Sequence, residues 1–472
     1  MSKYLQYEKA VTAIYTKAYT RFSEGNPLIE ALPNFNNDNE VRKLLLNRIP
    51  YEEEERTLLA TDRLAAIGGL FYCFYALPIH MDLAYKFAMA LKSGYISRNP
   101  LLNVHNNAIN QLSSCVRTKD SEFQTFKCTN ATTAGFSLIG VSGMGKTSTM
   151  NRILQLYPQK ILHENYHGES FNFLQIVWMK IECPYDGGVK GLCSNFFRNF
   201  DELTGDNTFA KFANYSKATI DSMIPQIALI ARRHGLGALI IDEIQNVNIA
   251  KSGGKEKMLN FIKNLVNTIG VPVIVIGTPD SMNLLSGNLQ DARRFSGQQG
   301  LTIMEPIPYE NPVWNIFLKS IWKFQWTNIE TPLTDNISYA IHKNSGGIIG
   351  EAIKLYAFVQ QSAINRGREY DEIITSDLIE NIANSESFYS EKQKIEQIYS
   401  KEQKVIEQFK EDKIYSTKQK LPINTKKNVS NEDVQFPVVT KDIESCIKLM
   451  EENGHNGEEL LRKFGLLCQT RD

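Results

Sequence analysis

The sequence lacks the patterns that mark several classes of protein. Its seven cysteines are scattered and odd in number, and no two of them form a C-x-x-C pair. This pattern argues against a disulfide framework or a zinc ribbon and favours reduced thiols. The N-terminal segment MSKYLQYEKAV has no apolar core of the kind found in signal peptides, and no repeat of solenoid period is evident. We therefore expect a cytoplasmic protein.

The sequence also has no net charge. The 52 Lys and Arg residues balance 52 Asp and Glu residues, so the formal net charge is zero. This balance argues against a broadly cationic nucleic-acid coat, but it leaves room for a local basic groove because net charge averages over all surfaces. With 42% hydrophobic and 22% charged residues over 472 positions, the composition is typical of a globular chain of roughly two to four domains.

Long apolar runs are also rare. The stretch from Leu64 to Met81 carries no formal charge, but it contains Gly68, Gly69 and Pro78. It is barely long enough to cross a bilayer of about 30 Å. We interpret it as a buried helix of an N-terminal region, and we expect no membrane partner.

The pattern along the chain divides it into four regions. Residues 1–120 are predicted to be mostly helical, with an extended segment at Asn26–Phe35, and residues 121–308 are predicted to form an α/β domain. Residues 309–390 show the helical apolar spacing of a small helical lid. Residues 391–472 are rich in Lys, Gln and Glu and are predicted to be a flexible, locally basic tail with a short terminal helix.

The α/β prediction rests on five apolar runs whose spacing leaves room for crossover helices. Such runs are typical of strands that are buried on both faces of a parallel sheet. We therefore predict a doubly wound parallel sheet flanked by helices. The predicted strands are FSLI (Phe136–Ile139), LQIVWMKIEC (Leu174–Cys183), ALIIDE (Ala238–Glu243), VPVIVIGT (Val271–Thr278) and LTIM (Leu301–Met304).

The segment GVSGMGKT, from Gly140 to Thr147, matches the P-loop pattern G-x-x-x-x-G-K-[ST]. It follows a predicted strand and precedes a predicted helix, which is the context that the motif requires. Its backbone N–H groups would hold the phosphates of ATP, Lys146 would reach the β- and γ-phosphates, and Thr147 would bind Mg²⁺. The predicted nucleotide-binding residues are Gly140, Val141, Ser142, Gly143, Met144, Gly145, Lys146, Thr147, Ser148 and Asp242.

Two further strand ends carry polar side chains suited to hydrolysis. Asp242 and Glu243 end the run ALIIDE, at the edge of a parallel sheet where ligands bind. Asp242 and Thr147 are the predicted metal-binding residues, and Glu243 is predicted to polarise the attacking water, which indicates hydrolysis rather than transfer to a substrate hydroxyl. Thr278 ends the next run and is a predicted sensor of the γ-phosphate, with an ordinary strand-ending threonine as the alternative.

An arginine pair, Arg293 and Arg294, follows in the segment NLQDARRFSG. An arginine that contacts the phosphate of a neighbouring subunit would make hydrolysis depend on assembly. An ordinary solvated arginine pair is an equal alternative.

Together these elements resemble an AAA+ ATPase, with a P-loop, an Asp-Glu strand, a polar sensor strand, an Arg pair and a helical lid. Further segments narrow the resemblance to the TnsC family, the AAA+ regulators of bacterial transposons that use several cooperating Tns proteins. The likeness covers roughly residues 26–365. It is carried by NPLIEALP, GYISRNP (Gly94–Pro100), LIGVSGMGKTS, NRILQLYPQ, KIECPYDGGVKGLCSNFFRNFD (Lys180–Asp201), LIIDEIQ, KMLNFIKNLVNTIGVPVIVIGTP and DARR.

The resemblance implies an ATP-dependent regulator of transposition that assembles on double-stranded DNA as a ring or helical filament. Such a protein takes instructions from a target selector of the TnsD/TniQ type, activates transposase subunits of the TnsA/TnsB type, and is reset by hydrolysis. The N-terminal region and the tail would then contact these partners. The sequence leaves open whether the target is chosen by a DNA-binding protein or by an RNA-guided complex.

One segment departs from the AAA+ pattern. The lid segment SGGIIGEAIKL (Ser345–Leu355) lacks the arginine that many AAA+ lids place after such a glycine, and Lys354 is the candidate substitute. Lid contact with the γ-phosphate is therefore in question.

Three loop lysines are candidate DNA contacts: Lys190 in GGVKG, and Lys251 and Lys255 in AKSGGKEK. Sequence-tolerant binding needs such phosphate contacts, and the neighbouring glycines allow close backbone approach. For any single one of these lysines, a solvated loop side chain is the simpler alternative.

Other interpretations account for parts of the sequence. HENYH (His163–His167) matches the zinc-protease pattern H-E-x-x-H, but no third ligand segment follows it. A replication initiator or loader ATPase shares the AAA+ core, and a nucleotide-gated scaffold with negligible turnover would share the P-loop. A P-loop kinase is disfavoured by the Asp-Glu strand and the sensor that follows it.

Overall fold

The structure of the chain is a computed structural model. It describes residues 10–17, 20–35, 37–118, 135–184, 188–213, 219–246, 270–282, 299–367, 371–386 and 402–407, together with residues 388, 393 and 400. Four predicted functional residues, Lys251, Lys255, Arg293 and Arg294, lie outside the described residues, as does most of the predicted tail.

The described residues contain two separate sheets. Their strands are β1 (Val11–Thr12), β2 (Phe136–Gly140), β3 (Lys160–Tyr166), β4 (Glu169–Ile176), β5 (Trp178–Glu182), β6 (Ala238–Asp242), β7 (Val273–Gly277) and β8 (Leu301–Met304). The main sheet has the order β5-β6-β7-β2-β8, and every neighbouring pair in it is parallel. The predicted doubly wound α/β fold is confirmed.

The strand order determines which strand ends lie side by side at the carboxyl edge of the main sheet. Strand β7, which precedes Thr278, lies between the P-loop strand β2 and the strand β6 that ends at Asp242, so all three end side by side. Every residue of these three strands is buried, as expected for strands that are covered by helices on both faces.

The helices flank the main sheet or form the lid. They are α1 (Pro27–Glu30), α2 (Asp38–Leu45), α3 (Ala60–Ile67), α4 (Pro78–Ile96), α5 (Asn103–Thr118), α6 (Lys146–Leu154), α7 (Val189–Thr204), α8 (Thr208–Phe212), α9 (Ile220–Arg233), α10 (Pro312–Trp322), α11 (Asp335–Ser345), α12 (Ile349–Arg366) and α13 (Ser376–Ala383). The last four agree with the helical prediction for the lid. Their starts have a local cause: the side chains of Asn311, Thr334 and Thr375 cap α10, α11 and α13.

The run Leu174–Cys183, predicted as one strand, belongs to two. β4 ends at Ile176 and pairs antiparallel with β3 in the second sheet, whereas β5 begins at Trp178 and pairs with β6 in the main sheet. The single-strand prediction was wrong because an uninterrupted apolar run gives no signal at Val177, where the chain passes from one sheet to the other.

The H-E-x-x-H segment lies mainly on strand β3 and not on a helix. His163 is fully buried. Gln175 donates through Nε2 to the Leu28 carbonyl (3.0 Å), so its Oε1 accepts from His163 Nε2 (2.9 Å), and His163 Nδ1 accepts from the Tyr15 hydroxyl (2.8 Å). Among the described residues, no group of three or more His, Cys, Asp or Glu could hold a metal ion. His163 therefore ties the N-terminal segment to the second sheet.

The segment Asn26–Phe35, predicted as extended, contains the one-turn helix α1. The Asn26 side chain accepts a hydrogen bond from the Leu28 N–H (3.1 Å), and Pro27 takes the first helical position. Proline is tolerated there because that N–H has no partner within the helix. The proline that suggested an extended segment is therefore part of a helix start.

The uncharged stretch Leu64–Met81 is not one helix. α3 ends at Ile67, a 3₁₀ turn covers Gly68–Tyr72, and α4 begins at Pro78. Among the described residues, no helix has the length and apolar character needed to cross a membrane.

The buried apolar side chains form two clusters. The first surrounds the main sheet and includes Phe87 and Leu91 of α4. The second is built mainly from the lid helices, and it includes Ile67, Leu70 and Leu77 from the N-terminal region. The N-terminal region therefore contributes side chains to the core of the sheet and to the core of the lid.

A buried ion pair also joins the N-terminal region to the lid. Arg63 of α3 binds Glu372 through two hydrogen bonds of 2.5 and 2.9 Å, and both side chains are 5% exposed. Arg63 also donates to the Trp326 carbonyl (2.7 Å), and the Asn328 N–H donates to Glu372 (2.7 Å). The charges are therefore fully hydrogen-bonded, which is the condition for burying them.

Part of the region predicted as a flexible tail is packed. Residues 402–407 are helical. Ile406 is buried in the main-sheet cluster, and Val405 packs against that cluster.

Candidate functional site

The P-loop connects β2 to α6 at the carboxyl edge of the main sheet. Gly145, the residue before α6, has a φ of 81°, which is a left-handed conformation that favours glycine. By helix geometry, the first N–H groups of α6 have no partner within the helix. This end of α6 is therefore suited to bind an anion such as a phosphate.

The side chain of Lys146 folds back over the loop. Its Nζ donates a hydrogen bond to the Val141 carbonyl at 3.1 Å. Burial lowers the pKa of Lys146, and the carboxylates of Glu402, Glu243 and Asp242 oppose that effect. The ammonium group thus lies within electrostatic reach of the carboxylates at the end of β6.

The residues predicted to bind Mg²⁺ meet directly. The Thr147 hydroxyl donates to Asp242 Oδ2 at 3.1 Å, and Asp242 is 2% exposed. A hydroxyl oxygen and a carboxylate oxygen that converge in this way are a donor set of the kind that Mg²⁺ prefers. These two residues therefore fit the ion.

Sequence reasoning missed the partner that balances the buried charge of Asp242. The Nζ of Lys180, on the neighbouring strand β5, lies 2.9 Å from Asp242 Oδ2. It also donates to Asn151 Oδ1 of α6 at 3.1 Å. The signal was a lysine inside an otherwise apolar strand run, because a buried ammonium group requires an acidic partner.

Glu243 follows Asp242 in a strained conformation. Its φ is 57°, one of two positive φ values among the described non-glycine residues. Its N–H donates to Asp242 Oδ1 at 2.9 Å. Residues held in such a conformation cost free energy and are concentrated at functional sites. This turn directs the chain out of β6 one residue after Asp242, the predicted metal-binding carboxylate.

A further polar residue was missed at this edge. Gln245 donates to the Glu243 carboxylate and accepts a hydrogen bond from the Thr278 N–H (3.1 Å). The structure therefore brings the predicted sensor Thr278 and the predicted base Glu243 together through a shared partner. The sequence feature that could have identified Gln245 is a second polar side chain two positions after Glu243 in the segment ALIIDEIQ.

The P-loop forms one wall of a cavity of about 820 Å³. Lys146, Thr147 and Glu243 are among the residues of this wall. The remaining lining residues come from the N-terminal region and the lid, and we call them the opposite wall. Most of their side chains are apolar or aromatic, but five are charged, and none of the set was predicted as a site residue. The set is Leu46, Asn47, Arg48, Ile49, Tyr51, Glu53, Arg56, Phe71, Cys73, Phe74, Tyr75, Leu77, His80, Phe317, Ser320, Ile321, Lys323, Phe324, Glu330, Ile349, Gly350 and Ile353.

His80 serves this wall as a structural group. Burial lowers its pKa to about 4, so the imidazole is neutral at pH 7. Its Nδ1 accepts a hydrogen bond from the Leu77 N–H at 3.1 Å. The neutral ring therefore holds the start of α4, where Leu77 and His80 line the cavity.

The lid touches the P-loop through its backbone. The Gly350 N–H donates to the Gly143 carbonyl at 2.9 Å. Ile349, Gly350 and Ile353 line the cavity, whereas Lys354, the predicted substitute for a lid arginine, is not among the lining residues. The lid thus meets the P-loop through this backbone hydrogen bond and through the side chain of Ile348, whose Cγ2 would lie 2.9 Å from a Cβ at Gly143.

Of the three predicted DNA contacts, only Lys190 lies within the described residues. It is exposed and belongs to the first turn of α7, not to a loop. Its side chain is free to meet a phosphate from solvent, but it is not among the residues that line the cavity.

Residues 131–285 match the protein family described as "AAA domain". No relative was found among curated proteins. Residues 131–285, which include the P-loop, Asp242, Glu243 and Thr278, are therefore similar to an AAA-type P-loop domain.

Several solved structures are similar to this chain. The Walker-type ATPase Paby2304 of Pyrococcus abyssi is 14% identical, with a TM-score of 0.32, 52% of this chain covered and 65% of that chain covered. Cdc6p from Pyrobaculum aerophilum is 13% identical, with a TM-score of 0.34 and coverages of 56% and 63%. RuvB from Thermotoga maritima is 16% identical, with a TM-score of 0.28 and coverages of 59% and 67%. The chain thus spans just under two thirds of the first two of these structures.

Proposed function

We propose that this protein hydrolyses ATP at the edge of the main sheet and uses the cycle to regulate DNA transposition. The observation that carries the first part is that Glu243 lines the same cavity as Lys146 and Thr147. A carboxylate on the phosphate side of a P-loop is placed to activate water, not to bind a sugar or base.

The described side chains divide the work of hydrolysis. The P-loop N–H groups and Lys146 bind the β- and γ-phosphates, and Lys146 stabilises the negative charge that develops there. Glu243 orients the attacking water and takes up its proton. Mg²⁺, held by Thr147 and Asp242, would neutralise phosphate charge. Thr278 senses the γ-phosphate at the end of β7.

The base of the nucleotide belongs on the opposite wall. Aromatic and aliphatic side chains such as Phe74, Ile349 and Ile353 suit a flat, weakly polar ring. Because these residues come from the N-terminal region and the lid, bound nucleotide would contact three parts of the chain at once. Assembly could then respond to nucleotide.

The transposition role rests on the TnsC-like segments of the sequence. We infer a homo-oligomer, a ring or helical filament, on double-stranded DNA. Arg293 or Arg294 would complete a neighbour's site, and Lys190, Lys251 and Lys255 would contact DNA phosphates. A target selector of the TnsD/TniQ type and transposase subunits of the TnsA/TnsB type are the proposed partners.

Electron microscopy of the full chain with double-stranded DNA tests this proposal. We expect rings or filaments with ATP and none without nucleotide. Glu243→Gln should assemble with ATP and persist, whereas Lys146→Ala should not assemble. A matched non-hydrolysable analogue should reproduce the persistence of Glu243→Gln.

Two outcomes would contradict the proposal. A monomer that is indifferent to nucleotide and DNA would exclude the assembly role. ATP-dependent assembly that neither binds nor stimulates a transposase from the same genome would support the initiator or loader interpretation instead.

A further inference from the structure

Gln245 is hydrogen-bonded at both ends of its side-chain amide. Its Nε2 donates to Oε2 of Glu243, and its Oε1 accepts from the Thr278 N–H at 3.1 Å. It is thus a direct link between the strand end that carries the proposed base and the strand end that carries the proposed sensor.

The orientation of this amide follows from its partners. A backbone N–H is only a donor, so the group that faces Thr278 must be the amide oxygen. A carboxylate is only an acceptor when ionised, so the group that faces Glu243 must be the NH₂. Rotating the amide by half a turn would set donor against donor and acceptor against acceptor. The link therefore has one polarity.

The surroundings hold the Gln245 amide in place. A Cβ at Gly277 would lie 3.0 Å from Gln245 Oε1 and 2.6 Å from Ile244 Cγ2, so the end of β7 approaches the turn too closely for a larger residue. On the other side of Thr278, its carbonyl accepts a hydrogen bond from the Ser281 hydroxyl at 2.5 Å. Close packing at Gly277 and the hydrogen bonds on both sides of Thr278 therefore tie its backbone to the Gln245 amide.

We propose that Gln245 is a positioning residue that couples the sensor Thr278 to the base Glu243. When Thr278 engages a terminal phosphate, the Thr278 N–H carries the Gln245 amide with it, and the amide orients the Glu243 carboxylate for attack by water. This inference rests on the proposed ATPase function. It adds to it a residue that acts through Glu243 and not on the nucleotide.

The placement of Gln245 predicts a specific kinetic signature. Glu243 lines the cavity, whereas Gln245 is not among the residues that line it. Replacing Gln245 should therefore lower kcat with little change in the KM for ATP, because an interaction that acts in the transition state has been removed without loss of ground-state binding.

Two substitutions separate the two ends of the link. Gln245→Met keeps the length of the side chain and removes both hydrogen bonds. Gln245→Glu keeps an oxygen acceptor for the Thr278 N–H but places a negative charge against Glu243. Gln111→Met, at an exposed position of α5, is the matched control for the same chemical change away from the site.

The first measurement needs no turnover. Residue-level hydrogen exchange of the nucleotide-free full chain should show a protected Thr278 amide in the unaltered protein, in Gln245→Glu and in Gln111→Met. In Gln245→Met this amide should exchange about tenfold faster or more, because its acceptor is gone. Equal protection in Gln245→Met would overturn the proposed link.

The second measurement is steady-state ATP hydrolysis by the same proteins. We expect kcat to fall about 10- to 100-fold in both Gln245 variants, the range for loss of one hydrogen bond to a charged group, with the KM within about twofold of the unaltered value. Unchanged kcat, or a parallel rise in the KM, would overturn the positioning role.

The two measurements keep this inference separate from the proposed function. If the unaltered protein hydrolyses no ATP under any DNA condition, the proposed ATPase function fails, whatever the exchange data show. If it hydrolyses ATP and Glu243→Gln abolishes turnover, but Gln245→Met behaves like Gln111→Met, the ATPase function stands and the role of Gln245 is wrong.

Discussion

The two walls of the cavity differ in both chemistry and origin. The sheet-edge wall consists of the P-loop residues, the start of α6 at Lys146 and Glu243, which follows β6. The opposite wall comes from segments far apart in sequence, and most of its side chains are apolar or aromatic, such as Phe74 and Ile353. It also carries charged side chains: Arg48, Glu53, Arg56, Lys323 and Glu330. We infer from the P-loop that the sheet-edge wall supplies the phosphate chemistry, and that the opposite wall supplies fit and a link to the rest of the chain.

The largest effect on binding should come from the sheet-edge wall. Lys146→Ala removes the ammonium group that we propose binds the phosphates, so the affinity for ATP should fall at least about 100-fold, the upper range for a hydrogen bond to a charged partner. Equilibrium titration with a fluorescent ATP analogue measures it. A loss smaller than about threefold would mean that the phosphates bind elsewhere.

A second effect, on stability, should come from the anchor of the opposite wall. Glu372→Gln leaves the Arg63 guanidinium buried without a counter-charge, which should cost about 3 kcal/mol of unfolding free energy. Urea unfolding followed by fluorescence of the lid tryptophans measures it. The exposed pair Lys343–Glu380 (3.0 Å) is the matched control, and Glu380→Gln should cost less than about 1 kcal/mol. Equal costs would contradict the anchor role.

This anchor also predicts a pH dependence. Burial alone would raise the pKa of Glu372, but hydrogen bonds from Arg63 and the Asn328 N–H lower it below the ordinary value of 4.5. The stability from the pair is therefore complete above that ordinary value and is lost as the pH falls through the lowered one. The difference in unfolding free energy between the unaltered protein and Glu372→Gln should therefore become smaller as the solution is made acidic. A difference that stays constant with pH would contradict this account.

The smallest effect should come from shortening an apolar side chain of the opposite wall. Ile353→Ala should weaken ATP and ADP alike by about 3- to 10-fold, because it removes apolar contact with the base and no contact with the γ-phosphate. Ile316→Ala, at a lid position that is 46% exposed, should change neither affinity. Selective loss of ATP affinity in Ile353→Ala would place this wall at the phosphates.

The sheet-edge wall could be predicted from the sequence for a physical reason. A P-loop is a local pattern, and parallel strands bring their carboxyl ends together. The meeting of Thr147 with Asp242, and of Glu243 with Thr278 through Gln245, follows once the strand order is known. The role of Lys180 could not be predicted because it depends on which strand lies next to β6, and strand order is not a local property.

The opposite wall could not be predicted in the same way. Residues such as Phe74 and Ile349 meet only because the N-terminal region packs against the lid, and no spacing along the chain encodes that contact. The passage between sheets at Val177 is similar, since a uniform apolar run fits either sheet. The start of α1 at Pro27 shows the converse case, in which one residue permits two local structures.

The most direct test of the account is phosphate release from ATP by Glu243→Gln, with Glu182→Gln as the control. Glu182 is the last residue of the edge strand β5 and is exposed, and Glu243 directly follows the neighbouring strand β6. We expect Glu243→Gln to bind ATP as tightly as the unaltered protein and to lose hydrolysis by about 100-fold or more, the scale for removing a general base, while Glu182→Gln keeps full turnover. Undiminished phosphate release from Glu243→Gln would contradict the central claim that Glu243 activates the attacking water.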